Sequence, residues 1–194
     1  MIADVLVLLK NRLNAHFRSL SGAGLGDADE DKVVFIDGDQ KPDSTSFKLG
    51  AVSLLLFNIE RDAIHRQADN YVRFADDGTT RKVSPEININ LHVLFVAKFK
   101  DYEQGLHYLS LIIHYFQANH YLDKQNAPEL GKSIDHLTLE LNTPTTAQQN
   151  ELWGLLRSSY LPSLAYKVKT LGFADEGQLA TAGVSEVILD QKQL

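Results

Sequence analysis

The sequence has no cysteine, which excludes a disulfide framework, a thiolate nucleophile and any zinc or iron–sulfur site held by sulfur. It also lacks surplus positive charge. Its 19 Lys and Arg face 25 Asp and Glu, a formal charge of -6, so the clustered cations that bind phosphate backbones are missing and no nucleic-acid partner is expected. Apolar runs such as "AVSLLLF" and "LHVLFVA" fall far short of the roughly 20 residues of a membrane span. The N-terminal "MIADVLVLLKNRLNAHFRSL" has no basic leader and carries Asp4 early, so it reads as a mature amphipathic helix and not as a signal peptide. The expectation is cytoplasmic synthesis without direct membrane insertion.

Catalytic spacings are wanting too. There is no HExxH, no Ser in a GxSxG elbow and no carboxylate pair singled out as an acid–base couple. "GAGLG" follows a helix and runs into acidic residues, whereas phosphate-cradling loops follow a strand and open a helix. "DADED" and "DGDQKPD" lack the twelve-residue calcium loop with its Gly and Glu positions, and read as solvated loops. His107 and His114 share a helix flank, but nothing supplies a third ligand. No catalytic residue, cofactor or metal is expected, and the chain is not read as an enzyme.

What is present is one core's worth of patterned hydrophobics. With 194 residues and 44% hydrophobic content, the chain should bury about 70% of its unfolded surface. A first helix over about Ile2 to Leu20 places Ile2, Leu6, Leu9, Leu13 and Leu20 on one face, with Asn11, Asn14 and Arg18 elsewhere. Strands follow at "KVVFID", at Lys48 to Arg61, and as a short hairpin near Tyr71 to Phe74 and Arg81 to Val83 around Asp77-Gly78. Lys48 to Arg61 is apolar on both alternating sets, as for a central strand covered on both faces. In "PEININLHVLFVAKF" one face is apolar throughout, and the other changes from Asn88, Asn90 and His92 to Leu94 and Val96, so burial should increase along it.

A second helix, Tyr102 to Ala118, has a core stripe of Tyr102, Leu106, Leu109, Ile113 and Phe116 and a second stripe of Tyr108, Leu111 and Tyr115, which suggests a subunit contact. "SIDHLTLELN" is a strand. "TPTTAQQNELWGLLRSS" is a third helix, with Thr residues and Pro144 as cap and first-turn residue. "LAYKVKTL" is a strand with Leu164, Tyr166 and Val168 inward and Lys167 and Lys169 outward. Residues 174–194 form an arm with one candidate strand, "VSEVILD". The expected architecture is α+β: a single domain, residues 1–173, with a central mostly antiparallel or mixed sheet flanked by about three helices.

Three ordered segments, "VSLLLFNIERDAIHR", "PEININLHVLFVAKFKDYEQGLHYLSLIIHYFQANHYL" and "LTLELNTPTTAQQNELWGLLRSSYLPSLAYKVKTLGF", resemble the tail-terminator or cap family of phage-tail-like contractile injection systems. The resemblance rests on the ordered set, which includes a Leu-Trp helix end at Trp153 and a corner of Tyr160, Pro162, Ser163, Tyr166 and Val168. It implies a homo-oligomeric, commonly hexameric ring on the baseplate-distal end of the inner tube and sheath. Such a ring stops polymerisation and sets particle length without making or breaking a bond. Under it, Tyr108, Leu111 and Tyr115 would form subunit contacts, and Val184, Val187 and Leu189 would add a strand to a neighbour. Lys167 and Lys169 would face outward from the rigid corner. An adaptor ring of the same particle is the alternative, and a soluble enzyme with an unrecognised site is a more distant one.

Overall fold

Strand and helix periods alternate along the chain in the order α1 (Ile2–Leu20), β1 (Val33–Phe35), β2 (Ala51–Arg61), β3 (Val72–Phe74), β4 (Thr80–Lys82), β5 (Ile87–Lys98), α2 (Tyr102–Ala118), β6 (Tyr121–Asp123), β7 (His136–Asn142), α3 (Thr146–Leu155), β8 (Ser163–Phe173) and β9 (Leu179–Ala180). The computed structural model describes residues 2–20, 30–36, 45–62, 72–74, 80–82, 87–131, 134–173 and 179–180. Six strands form a mixed sheet in the order β1-β2-β5-β8-β7-β6, in which only β1 and β2 run parallel. The architecture is the expected α+β single domain. A second, three-stranded sheet joins the β3–β4 hairpin to β9 through Arg81↔Ala180 and Lys82↔Leu179. Part of the segment expected as an arm is thus a strand on that hairpin, while Val184, Val187 and Leu189 lie outside the described residues.

One face of the sheet carries α1 and α2. Leu91, Val93, Phe95 and Ala97 of β5 meet Val5, Leu9 and Leu13 of α1, Ile112 and Phe116 of α2, and Tyr166 and Val168 of β8 in one continuous cluster. Phe95, Phe116 and Tyr166 form a triangle of rings with centroids 5.1 to 5.9 Å apart, tilted or edge-on as ring quadrupoles favour. Each such side chain contributes about 1.5–3 kcal/mol by leaving water.

The opposite face is covered only in part. Leu55, Leu94, Val96 and Ala165 pack with Phe47 and with Trp153 of α3. β2 is therefore covered on both sides from Ala51 to Leu55 but exposed from Asn58 to Arg61, so the expectation of two-sided cover holds for its first half only. A bulge between Leu56 and Asn58 marks the change. Polarity and exposure also part company on β5. Asn88 and Asn90 are 7% and 4% exposed, so burial does not fall away toward the polar end of that strand.

Two helix faces are rotated from the expected ones. In α1 the buried set is Val5, Leu8, Leu9, Leu13, Asn14 and Phe17, with Ile2 and Leu6 at its margin. In α2 it is Gly105, Tyr108, Leu109, Ile112 and Phe116, while Tyr102 and Leu106 are exposed. Both helices have apolar residues on two sides, and neighbour packing decides which side is covered.

The sheet is strongly curled. Side by side, six strands would set β1 and β6 about 24 Å apart. Yet Asn14 bonds to β1, and Arg12 on the same helix reaches the carbonyl of Asn126, just past β6, at 2.6 Å. These two residues rise only about 3 Å along the helix. The edges of the sheet come round to either side of α1, which closes the open side of the curl.

Candidate assembly surfaces

The corner between α3 and β8 is built from its cap inward. Thr145 is the N-cap: its hydroxyl accepts from the Gln148 N–H at 3.3 Å, and the Gln148 side chain accepts from the Thr145 N–H at 2.9 Å. This reciprocal box leaves Pro144 ahead of the helix and not in its first turn. Among α3 residues only Trp153 is buried. Its ring meets Phe47 at 6.0 Å and Tyr160 at 5.5 Å, both edge-on, so the helix is pinned to the sheet by one aromatic anchor. The helix ends at Leu156, whose carbonyl accepts from the Thr45 N–H at 3.1 Å, and Arg157 turns the chain away with φ 48°. Pro162 then supplies a carbonyl to the Ala97 N–H at 2.9 Å, and Ser163 pairs with Val96.

The expected corner residues divide between the two faces. Trp153 is buried on the α3 side, Tyr160 is 59% exposed, and Tyr166 and Val168 belong to the helix-covered cluster. Burial pushes the Tyr166 phenol up to about 12. Leu155, at 83% exposed, extends the apolar surface of the corner into solvent.

Beyond the corner the same face becomes charged. Lys167 donates to Glu60 at 2.8 Å, the Nε2 of His92 lies 3.0 Å from the same carboxylate, and Lys169 bonds to Glu140. The bond from Lys167, followed by that from His92, holds Glu60 below its ordinary range. The pairing explains the geometry, since His92 lies opposite Lys167 and Lys167 opposite Glu140 across β5, β8 and β7. Lys167 and Lys169 do face away from α1 and α2, but as partners in this ladder.

The subunit-contact stripe expected on α2 is corrected at Tyr108. Tyr108 is 1% exposed, stacked on Phe99 at 5.0 Å and edge-on to Phe17 at 5.1 Å, so it is a core residue under α1. Leu111 and Tyr115 are partly buried against the same cluster, with the Tyr115 ring 4.8 Å from His16, whose basicity burial lowers. The outward apolar residues of α2 are Tyr102 and Leu106, 66% and 41% exposed and one turn apart. His107 and His114 are exposed. Among the described residues no group of His, Asp or Glu could hold a metal ion, and no helix is long and apolar enough to cross a membrane.

Sequence reasoning missed three polar residues that organise the fold: Asn14, Arg12 and Asn126. Arg12 also donates to Glu129 at 2.9 Å and holds that carboxylate below its ordinary range. The only local signal was a short polar residue inside a helix whose propensity does not favour it, at Asn14.

No curated protein matches the sequence. Among solved structures, the PVC sheath/tube terminator of an extracellular contractile injection system, in its extended state, is similar at 15% identity and a TM-score of 0.49, covering 94% of this chain and 64% of that one. The tube-terminating cap of the anti-feeding prophage is similar at 18% identity and a TM-score of 0.47, covering 74% of this chain and 48% of that one. The chain thus spans less than two thirds of the length of either protein. A family model matches residues 4–185, from the first turn of α1 to beyond β9, and by that match the chain belongs to the Pvc16 N-terminal domain family.

Proposed function

We propose that this protein is a structural terminator of a contractile injection particle, acting by assembly and not by catalysis. Its copies form a ring, hexameric by the resemblance, on the baseplate-distal end of the inner tube and sheath. The ring docks on the last subunit layer and offers no site for the next, which ends polymerisation and sets the length. The observation that carries this reading is the family match over residues 4–185, which spans the whole ordered set of segments that resemble tail terminators.

The surfaces for such a role follow from exposure. Tyr102 and Leu106 of α2 replace Tyr108 as the subunit-contact stripe, and Leu155 with Tyr160 at the α3 corner offers a rigid apolar contact for tube or sheath. Val184, Val187 and Leu189 keep their proposed part as a strand added to a neighbour's sheet. An adaptor ring between cap and membrane would use the same kinds of surface.

Electron microscopy of particles from cells with and without the gene tests the reading. Long, ragged tubes in its absence support termination, whereas normal lengths with normal distal ends overturn it. Tyr102→Ser with Leu106→Ser should leave a folded chain that no longer forms rings.

A further inference from the structure

Unpaired backbone groups along a sheet edge are where another strand adds. At β1 the Val52 N–H donates to the Lys32 carbonyl at 2.7 Å while Val33 is in register with Val52. In a parallel ladder this turns the N–H and C=O of Val33 away from β2. The side chain of Asn14 takes both: Oδ1 accepts from the Val33 N–H at 2.8 Å, and Nδ2 donates to the Val33 carbonyl at 2.9 Å. Asn14 is 3% exposed there, fixed in the apolar side of α1.

The far edge repeats the device. The Leu139 N–H donates to His120 at 2.8 Å, so in the antiparallel alternation Tyr121 and Asp123 of β6 direct their backbone groups away from β7. The side chain of Asn126 takes up one group of each. Its Oδ1 accepts from the Asp123 N–H at 2.9 Å and its Nδ2 donates to the Tyr121 carbonyl at 3.0 Å. In each place a primary amide presents one acceptor and one donor, as the backbone of a neighbouring strand would.

We propose that Asn14 and Asn126 are assembly-specificity residues, each closing one edge of the six-stranded sheet against strand addition by a second copy of this chain. Open edges of this kind are self-complementary in composition. The β6 edge of one copy meeting the β1 edge of the next makes a head-to-tail contact that repeats without closing and yields open-ended chains. The strand lengths that overrun the short edge strands are interrupted by other means, a bulge at Leu56/Asn58 in β2 and Pro144 soon after β7. Contacts between copies are thereby left to helix and corner surfaces and, for the strand proposed at Val184, Val187 and Leu189, to the three-stranded sheet. The device is independent of the terminator role.

The test is Asn126→Ala in the full chain, since Asn126 is exposed and its loss leaves the core intact. Sedimentation velocity over a wide concentration range, circular dichroism and amide exchange are compared with the parent. The expected result is a variant with the parent's spectrum, exchange at Asp123 faster by about tenfold, and new species larger than the parent's that disappear on dilution. Adding Tyr121→Lys, a charge on the edge strand, should restore the parent's profile. A folded variant with fast exchange at Asp123 and the parent's sedimentation profile overturns the proposal, as does new association that Tyr121→Lys leaves unchanged. For β1, Asn14→Asp keeps the shape and the acceptor but removes the donor. A lowered melting temperature without association in that variant overturns the β1 half.

Discussion

The two faces of the six-stranded sheet use the same strands by opposite means. The helix-covered face is one apolar cluster running from α1 through Phe95, Phe116 and Tyr166. The other face is divided, with an apolar half under Trp153 and a charged half tied by Glu60, His92, Lys167, Lys169 and Glu140. Burial without water supplies most of the folding free energy, whereas exposed ion pairs supply little of it. The first face therefore holds the fold, and the second sets the position of α3 and the character of the surface around it.

Four measurements would break or sharpen that contrast. The largest effect belongs to Phe116→Ala, which should cost about 3–5 kcal/mol in urea unfolding. A loss under about 1.5 kcal/mol would mean that the helix-covered cluster is not continuous. Trp153→Ala should cost about 3 kcal/mol, the low end for an aromatic truncation because the corner is partly open. Because Trp153 is the only Trp, its loss is followed by circular dichroism, with helix signal falling before strand signal if α3 alone detaches.

A smaller effect separates the faces by pH. The buried Tyr166 phenol titrates near 12, against 10.0 for an ordinary tyrosine. The unfolded chain thus loses this proton first, and the stability the neutral phenol gives is complete below pH 10 and declines as pH rises toward 12. Tyr166→Phe should flatten that decline and remove the latest phase of the ultraviolet phenolate titration. The smallest effect is Glu60→Gln, within the roughly 0–1 kcal/mol of an exposed pair. Because Lys167 and His92 lower the acidity range of Glu60, its contribution is present above the ordinary value of 4.5 and fades as pH falls below it. A double-mutant cycle with Lys167→Met whose coupling does not weaken at all as pH falls below 4.5 would break this account.

Much of the fold was legible because strands declare their period in few residues. Alternation placed Tyr166 and Val168 inward and Lys167 outward, and the two-sided apolar run marked β2 as central. The helices were harder. α1 and α2 carry apolar residues on two sides, so periodicity left the buried side open, and Tyr108 was assigned to the surface although Phe17 and Phe99 enclose it. The ion-pair ladder was invisible because Glu60 and Lys167 are 107 residues apart and meet only through strand order. Asn14 and Asn126 were hidden for the same reason: an asparagine signals nothing until the edge it faces exists.

The position of α1 also constrains the order of events during synthesis. Arg12 finds its partners 114 and 117 residues later, at Asn126 and Glu129. α1 can meet β1 early, since Asn14 and Val33 are 19 residues apart, but its contacts at Asn126 and Glu129 wait until β6 and the loop after it have emerged from the ribosome. Closure over such separations costs loop entropy before any contact repays it. Until then the apolar side of α1, with Leu9 and Leu13, has only β1, β2, β5 and α2 to cover it, and its own far edge stays open.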